Sequence, residues 1–283
     1  MILIADSGST KTDWRLIDSK KQIHQFAGKG INPYFQTTDQ IIVALENELI
    51  PHLKTQLSEE ELEIFFYGAG CGAIDKKEIV KTAVSACFPK AKIYVETDLL
   101  GAARSLCGRN AGIAAILGTG ANTCYYDGEN IAENRASLGY LLGDEGSGAH
   151  IGKTFIQAYL NQEMPKELSN RFYERFKLGK DEILDAVYKK PMPNTFLASF
   201  SKFIYQNLKE PFIIDLVAGC FHAFFDKHIC KYPKYKEVKL SCTGSVAFYY
   251  SNILRAVALE KGVSIDTITE TPIAGLTLYH LEE

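Results

Sequence analysis

Two glycine-rich turns in this chain each join a pair of strand-like segments, and this repeated pattern constrains the fold most strongly. The apolar run 2–5 leads into Asp6-Ser7-Gly8-Ser9-Thr10-Lys11, and a strand-like segment follows at 12–17. The same order returns later, where 113–117 precedes Gly118-Thr119-Gly120 and 122–126 follows it. Each turn is therefore predicted to form a hairpin, and the recurrence indicates weak internal duplication.

The rest of the chain alternates between helical and strand-like patterns. Apolar periodicity predicts a third strand over 22–26, helices over 38–52 and 76–87, strands over 64–67, 92–95 and 237–241, and a largely helical tract over 148–226 broken near Pro191. This mixture predicts an α/β fold.

Composition and charge narrow the class of protein. The 283 residues are 46% hydrophobic and 23% charged, which is enough material for two domain cores. The net charge of −3 offers no basic surface for nucleic acid or an anionic membrane, so neither partner is expected. The N-terminal residues contain no basic leader or apolar targeting segment, so a cytoplasmic protein is expected.

The seven cysteines do not follow a recognisable framework. They are odd in number and include no CxxC pair, so neither a disulfide scaffold nor a zinc site is indicated. Most are expected to be buried thiols.

The first glycine-rich turn has the residues of a phosphate-binding loop. Gly8 permits close backbone approach to phosphate oxygens, the hydroxyls of Ser9 and Thr10 add donors, and Asp6 can hold Mg²⁺ through water. A strand follows the turn, which excludes a Walker loop and a dinucleotide fingerprint, since both lead into a helix. A plain hairpin turn remains the alternative.

The second turn repeats this logic. Gly118-Thr119-Gly120-Ala121-Asn122 combines small residues with a hydroxyl and an amide, although it is also a good structural turn. Two such hairpins suggest a clamp on a polar ligand.

A carboxylate stands at the end of the predicted strand 92–95. Asp98 can cap the following helix, or it can face the crevice at the carboxyl end of the sheet and accept a proton from a substrate hydroxyl. Phosphoryl transfer needs little more from the protein than such positioning and neutralisation of charge.

Two later segments are further candidates. Gly143-Asp144-Glu145-Gly146-Ser147 places two acids in a tight turn before a helix, which indicates either a surface turn or a loop facing sugar or Mg²⁺. Thr243-Gly244-Ser245 joins a strand to a helix and suits adenosine or its phosphates, or it is an ordinary turn.

Taken in order, these segments resemble the actin/hexokinase/Hsp70 ATPase superfamily, and more narrowly the family of N-acetylglucosamine kinases and BadF/BadG-type ATPases, over nearly the whole chain. The resemblance implies two ribonuclease-H-like domains that close on ATP. The expected domains are 1–105, joined by a C-terminal helix at about 272–283, and 106–271.

The resemblance also implies roles for individual residues. Asp98 corresponds to the general base of hexokinase-type enzymes, and Asp6 to the residue that holds Mg²⁺. The implied ATP and phosphate ligands are Gly8, Ser9, Thr10, Lys11, Thr119, Gly120, Gly244 and Ser245. The implied sugar ligands are Asn32, Asn122 and Asp144.

The predicted function is ATP-dependent phosphorylation of a hydroxyl on an amino sugar, with N-acetylglucosamine or a close relative as substrate and ATP and Mg²⁺ as cofactors. The main alternative is a BadF-type ATPase that drives a partner protein, although Cys71 and Cys107 match no cluster-binding pattern. A sugar sensor without activity is disfavoured by the presence of Asp6 and Asp98. A homodimer stays open, but the aromatic helix around Phe221, Phe224 and Phe225 is interpreted as a core face.

Overall fold

A computed structural model describes residues 1–53, 61–135 and 137–282. The chain forms two compact units. Unit 1 contains Met1–Asn110, Gly128–Asn130 and Pro272–Glu283, and unit 2 contains Ala111–Asp127 and Ile131–Thr271. The domain boundaries expected from the sequence stay a proposal.

Unit 1 is built on one mixed sheet. Its strands are β1 (Ile2–Ser7), β2 (Lys11–Ile17), β3 (Ile23–Lys29), β4 (Glu63–Gly68) and β5 (Lys92–Thr97). Its helices are α1 (Thr38–Glu48), α2 (Ile50–Leu53), α3 (Ile74–Cys87), α4 (Asp98–Cys107) and α14 (Ile273–Leu281). The strand order is β3-β2-β1-β4-β5, with β1–β2 and β2–β3 antiparallel and β1–β4 and β4–β5 parallel.

Unit 2 repeats this plan. Its strands are β6 (Gly112–Leu117), β7 (Ala121–Tyr126), β8 (Ile131–Arg135), β9 (Leu240–Thr243) and β10 (Ile265–Thr269), in the order β10-β9-β6-β7-β8. When the strands are numbered from 1 within the unit and the sheet is read from β8 to β10, this order is again 3-2-1-4-5. The parallel and antiparallel pairings also match those of unit 1. The predicted α/β fold and internal duplication are confirmed.

The helices of unit 2 fill the chain between β8 and β10. They are α5 (Gly139–Leu142), α6 (Gly148–Leu160), α7 (Lys166–Phe176), α8 (Lys180–Tyr188), α9 (Pro193–Ala198), α10 (Ser201–Gln206), α11 (Pro211–Lys227), a 3₁₀ turn (Ile229–Lys231), α12 (Ser245–Tyr249) and α13 (Ser251–Glu260). No helix in the part of the chain that the structure describes is long and apolar enough to cross a lipid bilayer.

Both faces of the unit 1 sheet are covered, which explains why β1 is apolar at successive positions. Leu3 and Ala5 pack on the face covered by α1 and α3, whereas Ile4 packs on the opposite face with Ile273 and Leu276 of α14. The C-terminal helix therefore completes the core of the unit that contains the N-terminus.

The core of unit 2 is rich in aromatic residues. Phe172 contacts the rings of Phe155, Phe200 and Phe203 at centroid distances of 5.2 to 5.6 Å. The side chains of Phe221, Phe224 and Phe225 are fully buried in the same core. The interpretation of that helix as a core face is confirmed.

Several predicted boundaries are wrong for identifiable reasons. The helix expected over 38–52 divides at Leu49, because Pro51 has no N–H to donate to the carbonyl four residues earlier and its ring crowds that carbonyl. The strand expected from Glu237 begins at Leu240, because the N–H groups of Glu237 and Val238 donate to the Lys234 carbonyl in a turn.

Candidate active site

The first glycine-rich hairpin is exposed at its tip and anchored at its base. Residues 8–11 are exposed, and the Gly8 N–H donates to the Lys11 carbonyl at 3.0 Å. Below the tip, the buried hydroxyls of Ser7 and Thr12 are 2.7 Å apart. Thr12 Oγ1 also donates to the Lys29 carbonyl, and Ser7 Oγ to that of Ile31. The turn therefore presents backbone groups, hydroxyls and the Lys11 ammonium from a fixed base.

Gly30 lies directly against this hairpin. A Cβ atom on Gly30 would collide with the backbone of Gly8, Ser9 and Thr10. Only glycine therefore allows the chain after β3 to pass beneath the turn.

Asp6 lies at the carboxyl end of β1, opposite Asp13 on β2 and Tyr67 on β4. Burial, reinforced by the charges of Asp98 and Asp13 and opposed by Lys11, raises the pKa of Asp6 to about 7. Asp98 and Asp13 repel the Asp6 carboxylate, and such repulsion favours a bound cation near Asp6.

Asp98 follows β5, and β1, β4 and β5 are parallel, so Asp98 and Asp6 share the carboxyl edge of the sheet. Thr97 is the N-cap of α4 and accepts the Leu100 N–H at 3.1 Å. Asp98 is thus the first residue of the helix, and the interpretation of Asp98 as the cap is wrong. Burial raises the pKa of its carboxyl, although the Leu99 N–H opposes this. A raised pKa makes the carboxylate a stronger base.

Asn32 is buried with both ends of its amide engaged. Its Nδ2 donates to Ser9 Oγ at 2.8 Å, and its Oδ1 accepts the Tyr34 N–H at 3.0 Å. The residue therefore links the first hairpin to the 30–34 loop.

In unit 2, the second hairpin and the Asp144 turn come together. The carbonyls of Gly118 and Thr119 accept the N–H groups of Gly148 and Ala149 at the start of α6. A Cβ on Gly120 would lie 3.1 Å from Asp144 Oδ2. The two predicted segments, although separate in the sequence, thus contact each other and form one surface.

Asp144 and Asn122 are both polar groups of this surface. Asp144 Oδ1 accepts the Ala121 N–H at 3.3 Å and the Ser137 hydroxyl at 3.2 Å. Burial raises the pKa of Asp144 despite these bonds. Asn122 Oδ1 accepts from the Thr123 N–H and from Asn134 Nδ2.

Gly244 and Ser245 follow β9. Gly244 has φ of +113°, and a Cβ there would collide with the Leu117 carbonyl, so the turn requires glycine. Ser245 begins α12 and lines a cavity of about 420 Å³ with Lys202, Tyr205 and Tyr249. Lys202 and Tyr205 were not predicted as site residues, because nothing in the sequence connects α10 with a motif some 40 residues later, and Tyr249 was missed although it lies in the helix that follows the motif.

His150 gives the Asp144 turn a pH-dependent stability. Its Nδ1 accepts the Gly146 N–H at 3.2 Å, and burial, followed by the charge of Lys153, lowers its pKa to about 4. Unfolded histidine takes up a proton near pH 6.5. The contribution of His150 to the free energy of unfolding is therefore fully present above that pH. It is lost as the pH falls from 6.5 towards 4, by roughly 2 kcal/mol between pH 7 and pH 5.

We expect His150→Gln to remove this part of the pH dependence in urea unfolding at pH 7 and pH 5. His222→Gln, which changes a more exposed histidine beside Glu260, serves as the control and should keep it. If the unfolding free energy of His150→Gln fell between pH 7 and pH 5 as much as that of the wild type, the pH dependence would not come from His150.

Comparison with known proteins agrees with this geometry, although no protein-family model matches the chain. A solved structure of a Porphyromonas gingivalis protein that carries the name N-acetylglucosamine kinase superposes with a TM-score of 0.94 and 41% identity, covering 100% of this chain and 99% of that one. An N-acetyl-D-glucosamine kinase of Dictyostelium discoideum is 26% identical over 63% of this chain and 61% of its own length. An N-acetylmuramic acid/N-acetylglucosamine kinase of Clostridium acetobutylicum is 25% identical over 70% and 68%. The match to the Dictyostelium protein thus spans less than two thirds of that protein.

Proposed function

This chain belongs to the N-acetylglucosamine kinase family, and we propose that it transfers the terminal phosphoryl group of ATP to a hydroxyl of N-acetylglucosamine or a closely related amino sugar. The observation that carries the proposal is the placement of Asp98 beside Asp6 at the carboxyl edge of the unit 1 sheet. In such folds ligands bind at this edge.

In the proposed reaction, Asp98 accepts the proton of the sugar hydroxyl as that oxygen forms a bond to the γ-phosphorus. The bond from this phosphorus to the oxygen that bridges the β- and γ-phosphates breaks, and ADP leaves. The raised pKa of Asp98 suits proton acceptance. Asn32, Asn122 and Asp144 are the proposed sugar ligands.

Phosphate binding is assigned to the glycine-rich turns of both units. Their proposed ligands are Gly8, Ser9, Thr10, Lys11, Thr119 and Gly120, with Gly244 and Ser245 for the adenosine side. The exposed tip of the first hairpin supports this role, because backbone N–H groups and hydroxyls there can reach an anion.

Asp6 is the residue proposed to hold Mg²⁺, which neutralises phosphate charge during transfer. Across residues 1–53, 61–135 and 137–282, no three His, Cys, Asp or Glu side chains are grouped to hold a metal. This fits Mg²⁺ in phosphoryl transfer, because that ion takes few protein ligands and keeps water and phosphate oxygens.

The cavity beside Ser245 is proposed to hold the adenosine. Its volume of about 420 Å³ and its aromatic walls, which include Tyr205 and Tyr249, suit a flat heterocycle.

We expect Tyr249→Ala to raise the KM for ATP about tenfold and to leave the KM for sugar unchanged, as lost aromatic stacking predicts. Tyr188→Ala, at an exposed tyrosine that does not line this cavity, is the control. Equal effects on both substrates would contradict the assignment.

Phosphorus-31 NMR of the reaction products tests the proposed function. Wild-type protein with MgATP and N-acetylglucosamine should yield ADP and a sugar phosphate ester in equal amounts. Formation of ADP and inorganic phosphate without a sugar phosphate would instead favour a partner-activating ATPase. The named relatives do not support that alternative. A cytoplasmic location, where ATP is available, is part of the proposal.

A further inference from the structure

Glu145, next to the proposed sugar ligand Asp144, is a buried carboxylate that contacts the Lys227 ammonium and the His228 ring. Its Oε1 lies 2.7 Å from Lys227 Nζ and its Oε2 lies 2.9 Å from His228 Nε2. Burial alone would raise its pKa, but these two partners overcome that effect and lower the pKa to about 2. The group is therefore ionised at physiological pH.

The partners of Glu145 belong to a rigid element. Lys227 is the last residue of α11 and His228 is its C-cap, and this helix is anchored in the core through Phe224 and Phe225. A lysine is favoured at a helix C-terminus, and the Lys227 ammonium there attracts the Glu145 carboxylate. Glu145 thus connects the 143–147 turn to the end of α11.

The turn that Glu145 anchors has an uncommon backbone. Asp144 has φ of +57° and Gly146 has φ of +79°. A left-handed conformation is unfavourable for a non-glycine residue and is maintained by surrounding contacts. A Cβ on Gly146 would lie 2.8 Å from Phe224 Cβ, so the turn also packs tightly on α11.

This backbone determines where the Asp144 carboxylate lies. From the left-handed position, Asp144 reaches the Ala121 N–H and approaches Gly120 in the second hairpin. If residue 144 returned to an ordinary conformation, its side chain would leave these groups. The orientation of Asp144 therefore depends on the backbone conformation of the 143–147 turn, which includes Glu145.

We propose that Glu145 is a positioning residue for the sugar: its ion pair with Lys227 and its hydrogen bond with His228 hold Asp144 in the left-handed conformation that presents its carboxylate to the acceptor. The inference rests on the proposed function, since it takes Asp144 as a sugar ligand. Glu145 itself touches no reacting atom and acts only through its neighbour.

Steady-state kinetics of Glu145→Gln test this role. We expect the KM for N-acetylglucosamine to rise about tenfold, while kcat and the KM for ATP change less than about twofold. Glu174→Gln, which removes a carboxylate from an exposed ion pair with Lys177, is the matched control and should behave as wild type. An unchanged sugar KM in Glu145→Gln would overturn the inference.

A double-mutant cycle separates positioning from a general loss of structure. If Glu145 acts through Asp144, then Asp144→Asn combined with Glu145→Gln should have the same sugar KM as Asp144→Asn alone. Effects that multiply would overturn the inference. If Glu145→Gln does not fold, His228→Gln takes its place, and there an unchanged sugar KM would overturn it.

The wild-type protein tests the premise separately. Wild-type protein that transfers no phosphate to any amino sugar would remove the proposed function, and the inference with it. Active wild-type protein with an unaffected Glu145→Gln variant would remove the inference alone.

Discussion

Replacing Asp98 by Asn should reduce kcat about 10²–10⁴-fold, the usual contribution of a general base. The amide keeps the size of the side chain and can accept the Leu99 N–H, which Asp98 Oδ1 accepts at 2.9 Å. It cannot accept the sugar proton. Because the glycine-rich hairpins that we propose bind phosphate are untouched, the KM for ATP should change less than about threefold in initial-rate measurements.

The control for Asp98→Asn is Asp75→Asn, which changes another carboxylate in the first turn of a helix, α3, at a position that is 73% exposed. It should retain wild-type kcat. An Asp98→Asn protein with sugar turnover near that of the wild type would remove Asp98 from the mechanism.

Replacing Gly30 by Ala should reduce kcat/KM for ATP at least about 100-fold, because a displacement near 1 Å in a reaction site can cost that much. The new methyl group would meet the backbone of Gly8 and Thr10 rather than a flexible side chain. The hairpin tip must therefore move. We also expect a lower melting temperature, since the strained contact is buried.

Gly72→Ala is the matched control for Gly30→Ala. A Cβ on Gly72 has nothing within 4 Å, so this variant should keep wild-type kinetics and melting temperature. Wild-type kcat/KM for ATP in Gly30→Ala would contradict the view that the hairpin needs its observed position.

The parts of the fold with short-range signals could be predicted from the sequence. Glycine turns between alternating apolar segments identified both hairpins, and the acid after strand β5 identified Asp98 as a candidate. The same signals gave the fold class. The strand β10 was missed, because Ile265–Thr269 is a short edge strand with only partial burial.

What the sequence could not reveal depends on contacts between distant residues. The close approach of Gly30 to the first hairpin, the contacts of Glu145 with the end of α11 and the meeting of α10 with α12 at the cavity all join segments 20 or more residues apart. The left-handed backbone of Asp144 leaves no mark on the sequence either, since aspartate is common in turns of ordinary geometry. Each of these features can be recognised only in the folded structure, where these distant residues are in contact.

The most direct test of the account is the rate of ADP release from MgATP by the wild-type protein, with and without N-acetylglucosamine, glucosamine, glucose, N-acetylmannosamine or N-acetylmuramic acid. If the protein is an amino-sugar kinase, ADP release should be slow without sugar and strongly stimulated by N-acetylglucosamine or a close relative. Release at the same rate with every sugar and with none would contradict it.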